Sequence, residues 1–160
     1  MTKQITVHPI LFGIYPVLFL FSRNVWQTKA DVIWVPLIIV LFIVGLLWWC
    51  ATFIIKDSGK AALIVSVFLI LFFVYSNVHD ILLVQHGLLF GRHRYLLLII
   101  GFLWSIAAYW IARRLVNVTT ANLFLNIVGA TLILATIPNL GDWIINKKAI
   151  SKDQIKAIRP

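Results

Sequence analysis

Between Val32 and Ile55 the chain runs for 24 residues without one charged side chain. As a helix rising about 1.5 Å per residue, that run exceeds the roughly 30 Å of a bilayer's hydrocarbon core. An exposed stretch of this kind is insoluble in water. It is also too long to be a core strand. A transmembrane helix is the reading that satisfies both its length and its backbone.

The run is not alone. Ile5–Ser22 is 18 residues long, opened by Lys3 and closed by Arg23, and Pro9 and Pro16 interrupt it. No small-x-small cleavage site follows, so a retained helix kinked at Pro16 fits better than a signal peptide. Ala61–Val78, Leu96–Ala112 and a stretch over about 119–139 give three more spans, so the sequence predicts an all-α, polytopic bundle of about five transmembrane helices. Lys56-Asp-Ser-Gly-Lys60 is a tight connection that sets the second and third spans antiparallel. Trp26 and Trp34 bracket the first loop, where aromatic rings meet headgroups. Asn122, Asn126 and Thr131 lie within the fifth run and are expected against other helices rather than lipid.

Composition agrees. The 160 residues are 62% hydrophobic and 12% charged, against about 45–50% and 25% in soluble domains. Little polar material remains outside the spans from which to build a soluble catalytic domain. The 14 Lys and Arg outnumber 5 acids, all of them Asp, for a net charge of +9. These cations sit between and after the apolar runs, where they meet lipid phosphates; no basic stripe interleaved with aromatics suggests nucleic acid. The single cysteine, Cys50, lies within a span beside Trp48 and Trp49 and makes no internal disulfide. No cofactor motif is present.

The segment from His79 to Tyr95 differs from the rest, with short apolar pieces too broken to span; it is expected to lie at the interface. It gathers His79, Asp80, His86, Arg92, His93 and Arg94, the candidate contact for a lipid headgroup or partner. Guanidiniums fork onto phosphate oxygens, and imidazoles add hydrogen bonds or carry a proton. The plainer alternative is a solvated loop whose cations anchor to headgroups. The seven-residue spacing of the histidines places them two helical turns apart, too far for one metal ion without a fold-back. Asp142 near the end of the fifth run reads as an interfacial acid beside Asn139, Gly141 and Asn146. No Gly-rich phosphate loop, paired carboxylates or catalytic triad can be defended, so the chain as it stands is read as no enzyme.

Five spans put the termini on opposite faces. One face carries Lys3, Lys56, Lys60, Arg113 and Arg114; the other carries Arg23, Lys29, Arg92 and Arg94, before the tail adds Lys147, Lys148, Lys152, Lys156 and Arg159. On the loops the positive-inside rule is nearly balanced, and with the tail it favours a cytoplasmic C-terminus.

Tyr15-Pro-Val-Leu-Phe-Leu-Phe-Ser22, Lys60-Ala-Ala-Leu, Phe72-Phe-Val-Tyr-Ser76 followed by His79, Gly91-Arg-His-Arg-Tyr-Leu96 and Leu125-Asn126 occur in this order. The pattern resembles the N-terminal membrane domain of bacterial and archaeal sulfatase-like membrane proteins of the alkaline-phosphatase superfamily, over about residues 8–140. The resemblance implies a cell-membrane protein with its N-terminus in the cytoplasm and its C-terminus outside. It also implies that a metal-dependent hydrolase or transferase domain follows after a segment ending in Arg-Pro. Arg159-Pro160 occupy that place, so 147–160 reads as a basic tail or linker to a domain absent from this sequence. The metal ligands and nucleophile of such proteins belong to that domain, and no position here corresponds to them. The expected function is thus a non-catalytic anchor that presents a sulfatase-like domain or subunit to a lipid or envelope substrate. The alternative is a small transporter or assembly factor complete in itself. Against it, the spans contain almost no charge and no internal repeat, and Pro16 and Pro138 are the only hints of broken helices.

Overall fold

A computed structural model describes residues 5–24, 30–89, 92–138 and 141, and among these the chain is all helical. Five helices follow in order: α1 (His8–Asn24), α2 (Trp34–Ile55), α3 (Ser58–His79), α4 (His93–Arg113) and α5 (Thr119–Leu134). A short 3-10 turn, Ala30–Ile33, leads into α2, and a π-helical stretch, Asp80–Gln85, prolongs α3. Trp26, Lys29, Asn139, Asp142 and the tail 147–160 lie outside the described residues.

Three segments are long and apolar enough to cross a bilayer: Asp31–Ile55, Ser58–Leu83 and His93–Arg113. The other two helices are shorter, 17 residues for α1 and 16 for α5. Only 6% of the most apolar stretch of the first segment is buried within the protein, against 39% for the second. Ile38, Phe42, Trp49, Phe53 and Ile54 therefore form a continuous apolar surface that water does not tolerate and lipid does. Location in a membrane follows from that surface. Cys50 is exposed on it.

The centre of the bundle is α3, which packs against each of the other four helices. Its residues Ala61–Ser66 are buried in unbroken sequence, as expected of a helix surrounded on all sides. The Asp57 carboxylate starts it, accepting from the backbone N–H of Gly59 (2.9 Å) and Lys60 (3.0 Å). One residue earlier Lys56 ends α2 at φ 59°, a left-handed cap whose N–H donates to the Thr52 carbonyl. This pair of caps reverses the chain in the space the sequence allows, and α2 lies antiparallel against α3.

Two glycines set the spacing around α1. A Cβ on Gly13 would stand 2.7 Å from Val44 Cγ2 on α2, and one on Gly129 would stand 2.9 Å from Leu11 Cβ. Small residues let helix backbones approach in lipid, where dispersion contacts replace the hydrophobic effect between helices. Phe12, Val44, Val65 and Leu69 close the core on one side of α3. Leu63, Ile64 and Ile111 close it on the other.

The helix directions follow from the side-chain contacts. Lys60 at the start of α3 donates through Nζ to the Ala112 carbonyl at the end of α4, 3.1 Å away, so these two helices are antiparallel. A Cβ on Gly59 would meet Asn122, which places the start of α5 beside the start of α3. With α5 thus parallel to α3, the C-terminal ends of both and the N-terminal end of α4 share one end of the bundle.

Candidate functional site

Two polar clusters stand out in this apolar bundle, one inside it and one at its end. The inner one joins α1, α3 and α5. His8 is fully buried, and its Nδ1 lies 2.6 Å from Ser66 Oγ and its Nε2 3.0 Å from Asn122 Oδ1. An amide oxygen only accepts, so Nε2 carries the hydrogen and the Ser66 hydroxyl donates to Nδ1; this tautomer is the one the network assigns. One turn along α5, Asn126 Oδ1 accepts from the backbone N–H of Val7 (3.0 Å) and His8 (2.9 Å), while its Nδ2 donates to the Ile5 carbonyl (2.8 Å). Asn126 thereby satisfies orphan donors at the start of α1 from a different helix. Thr131, by contrast, bonds the Ile127 carbonyl of its own helix. Every group in this inner cluster is matched, and it has the character of a lock between helices.

The outer cluster sits where α3 ends and α4 begins. Tyr75 and His79 are four residues apart, hence on the same face of α3. The Tyr75 hydroxyl lies 2.6 Å from His93 Nδ1, on the first residue of α4. The His79 and His93 rings stack nearly parallel, with centroids 4.1 Å apart and 6° between planes. On its other side His79 Nδ1 lies 3.2 Å from the Asp80 carboxylate. With Nδ1–H donating to Asp80, the remaining nitrogen, Nε2, is buried with no hydrogen-bond partner among the described residues. A buried polar atom left alone costs roughly 1–3 kcal/mol. Among the described residues it is the one buried side-chain nitrogen or oxygen left without a partner.

Beneath this cluster runs an apolar groove of about 360 Å³ between α3 and α4. Phe68, Leu71, Phe72 and Tyr75 line it from α3, and Leu97, Ile100, Gly101 and Trp104 from α4. Both sets repeat at three- and four-residue steps, so each is one stripe of a helix facing the other. Tyr75 belongs to both features: its ring walls the groove and its hydroxyl holds His93. Gly101 keeps the groove open, because a Cβ there would meet nothing within 4 Å.

Of the six residues singled out in the sequence, the structure brings together His79, Asp80 and His93. Arg94, on the first turn of α4, stacks its guanidinium 4.8 Å from the centroid of the Tyr95 ring. Arg92 is the exposed N-cap of α4 and makes no side-chain cap bond. His86 is exposed after the π-helical stretch and joins neither the stack nor the Asp80 pair. Among the described residues, no three His, Cys, Asp or Glu side chains are grouped to hold a metal ion. Tyr75, His8 and Ser66 are the polar residues of the two clusters that the sequence pattern did not single out. The four-residue spacing of Tyr75 and His79 was the available signal, masked by ending the span at Val78. Instead α3 continues unbroken through His79 and on into the π-helical stretch, so the expected interfacial segment begins as an extension of a span.

Compared with known proteins, the chain matches no family model, no curated protein and no solved structure.

Proposed function

We propose that this chain is a non-catalytic, multi-pass anchor in the cell membrane that presents a sulfatase-like hydrolase or transferase, as an attached domain or a separate subunit, to a lipid or envelope substrate. The N-terminus is cytoplasmic in this reading, and the end of the bundle where α3 and α5 finish faces outward. The observation that carries it is the shared end of α3, α4 and α5. A domain attached after α5 would stand on the same side of the membrane as the Tyr75–His79–Asp80–His93 cluster and the mouth of the groove. The sulfatase-like partner itself rests on the residue pattern headed by Gly91-Arg-His-Arg-Tyr-Leu96.

The test is to sequence the source locus past the codon for Pro160 and to purify the chain from native membranes in a mild detergent. The reading predicts a metal-dependent sulfatase-like hydrolase, either in the same reading frame or among the co-purifying proteins identified by peptide mass spectrometry. A stop codon together with no such hydrolase among them contradicts it.

A further inference from the structure

We propose that the α3–α4 groove is a lipid site, taking one acyl chain of an anionic phospholipid whose phosphate is held at the mouth by His93, Arg92 and Arg94. The groove runs over the eight residues from Phe68 to Tyr75, about 10 Å of helix. A partner helix is about 10–12 Å across with its side chains and does not fit a volume of about 360 Å³. A flexible hydrocarbon chain does. Its lining is aromatic and aliphatic throughout, and it faces outward from helices that are themselves embedded in lipid.

The mouth decides the headgroup. Arg92 and Arg94 contribute two permanent cations on exposed side chains, against the single carboxylate of Asp80, which is already engaged by His79. When the Tyr75 hydroxyl donates to His93 Nδ1, His93 Nε2 bears the hydrogen and is a donor. His79 stacks on the His93 ring and is itself tied to Asp80, which holds His93 in position at the mouth. The positive end of the α4 dipole adds to the attraction for an anion. Cationic forks, an imidazole donor and a helix start converge on phosphate chemistry and offer nothing to a choline.

This inference rests on the bundle being membrane-embedded, and not on any attached hydrolase. The test uses the full chain in phosphatidylcholine vesicles holding a minor fraction of phosphatidylglycerol with a photoreactive diazirine in one acyl chain. After irradiation, adducts are mapped by peptide mass spectrometry. Adducts are expected to concentrate on Phe68–Tyr75 and Leu97–Trp104. Gly101→Leu, whose added side chain enters open space, should reduce them roughly tenfold. Gly45→Leu on α2, equally unhindered, should leave them unchanged. Replacing Arg92 and Arg94 together by Gln should remove most of the preference over a photoreactive phosphatidylcholine.

Adducts spread evenly over the exposed faces of α2 and α4, or undiminished by Gly101→Leu, would overturn the site. So would equal labelling by the two lipids in the unaltered chain, or a dimer that closes the groove with a second copy. Carbonate extraction of the same vesicles separates the two levels of the argument. A chain that is extracted loses the membrane reading, whereas one that is retained without groove adducts loses only the lipid site.

Discussion

Replacing His8 by Leu removes the two side-chain hydrogen bonds that tie α1 to α3 and α5 while nearly conserving volume. The loss is therefore one of hydrogen bonding rather than of packing. In membrane proteins such interhelical bonds average about 0.6 kcal/mol each by double-mutant cycles, or about 1.2 kcal/mol for two. Ser66 recovers part of its loss by turning its hydroxyl to the carbonyl four residues back, as serines in helices do. Asn122 is fully buried, and losing the hydrogen bond His8 supplied there costs roughly 1–3 kcal/mol. The expected destabilisation is about 1–3 kcal/mol, measured by reversible unfolding in mixed micelles or bicelles. The sharper readout is the cycle with Asn122→Leu. The double variant should be less destabilised than the sum of the singles by about 0.6 kcal/mol or more, because both remove the same bond. Additivity within about 0.3 kcal/mol would refute the bond between His8 and Asn122 and with it the lock.

Four further substitutions can be read with the same unfolding assay. Gly129→Val should destabilise by roughly 1–3 kcal/mol, since its Cβ would press on Leu11 Cβ at 2.9 Å, while Gly101→Ala at an open position should be nearly neutral. Asp57→Ala should cost about 1 kcal/mol by leaving the Gly59 and Lys60 N–H groups uncapped. Lys56→Gly should stabilise by roughly 0.5–1 kcal/mol, because a left-handed φ of 59° strains a side chain that glycine lacks.

Much of the bundle was legible in the chain because lipid leaves a helix few alternatives. Long uncharged runs mark α2, α3 and α4, and the Lys56–Lys60 connection marks the hairpin between the first two. Helix ends were less legible. Nothing in His79-Asp-Ile-Leu-Leu announces whether the backbone stops or continues as a π-helix, since Gly87 is the first residue there with a turn's conformational signature. His8 was hidden for another reason. A histidine at the head of an apolar run reads as a boundary residue, and its partners Ser66 and Asn122 lie 58 and 114 positions away. The outer site was half visible: clustering of polar residues pointed to His79, Asp80 and His93. Only the packing of α3 on α4 separates these from His86 and adds Tyr75 and the groove.

The central claim is that the exposed apolar faces of α2 and α4 are covered by lipid, and cysteine accessibility tests it most directly. With Cys50 replaced by Ser, single cysteines would be placed by Ile38→Cys, Phe102→Cys and Val116→Cys. These positions are 64%, 67% and 96% exposed on the protein itself, so protein packing shields none of them. In intact vesicles, a membrane-impermeant maleimide applied to both faces should label only position 116, in the connection between α4 and α5. Positions 38 and 102 should react once detergent removes the bilayer. Labelling of positions 38 and 102 in intact vesicles as fast as position 116 would contradict the account.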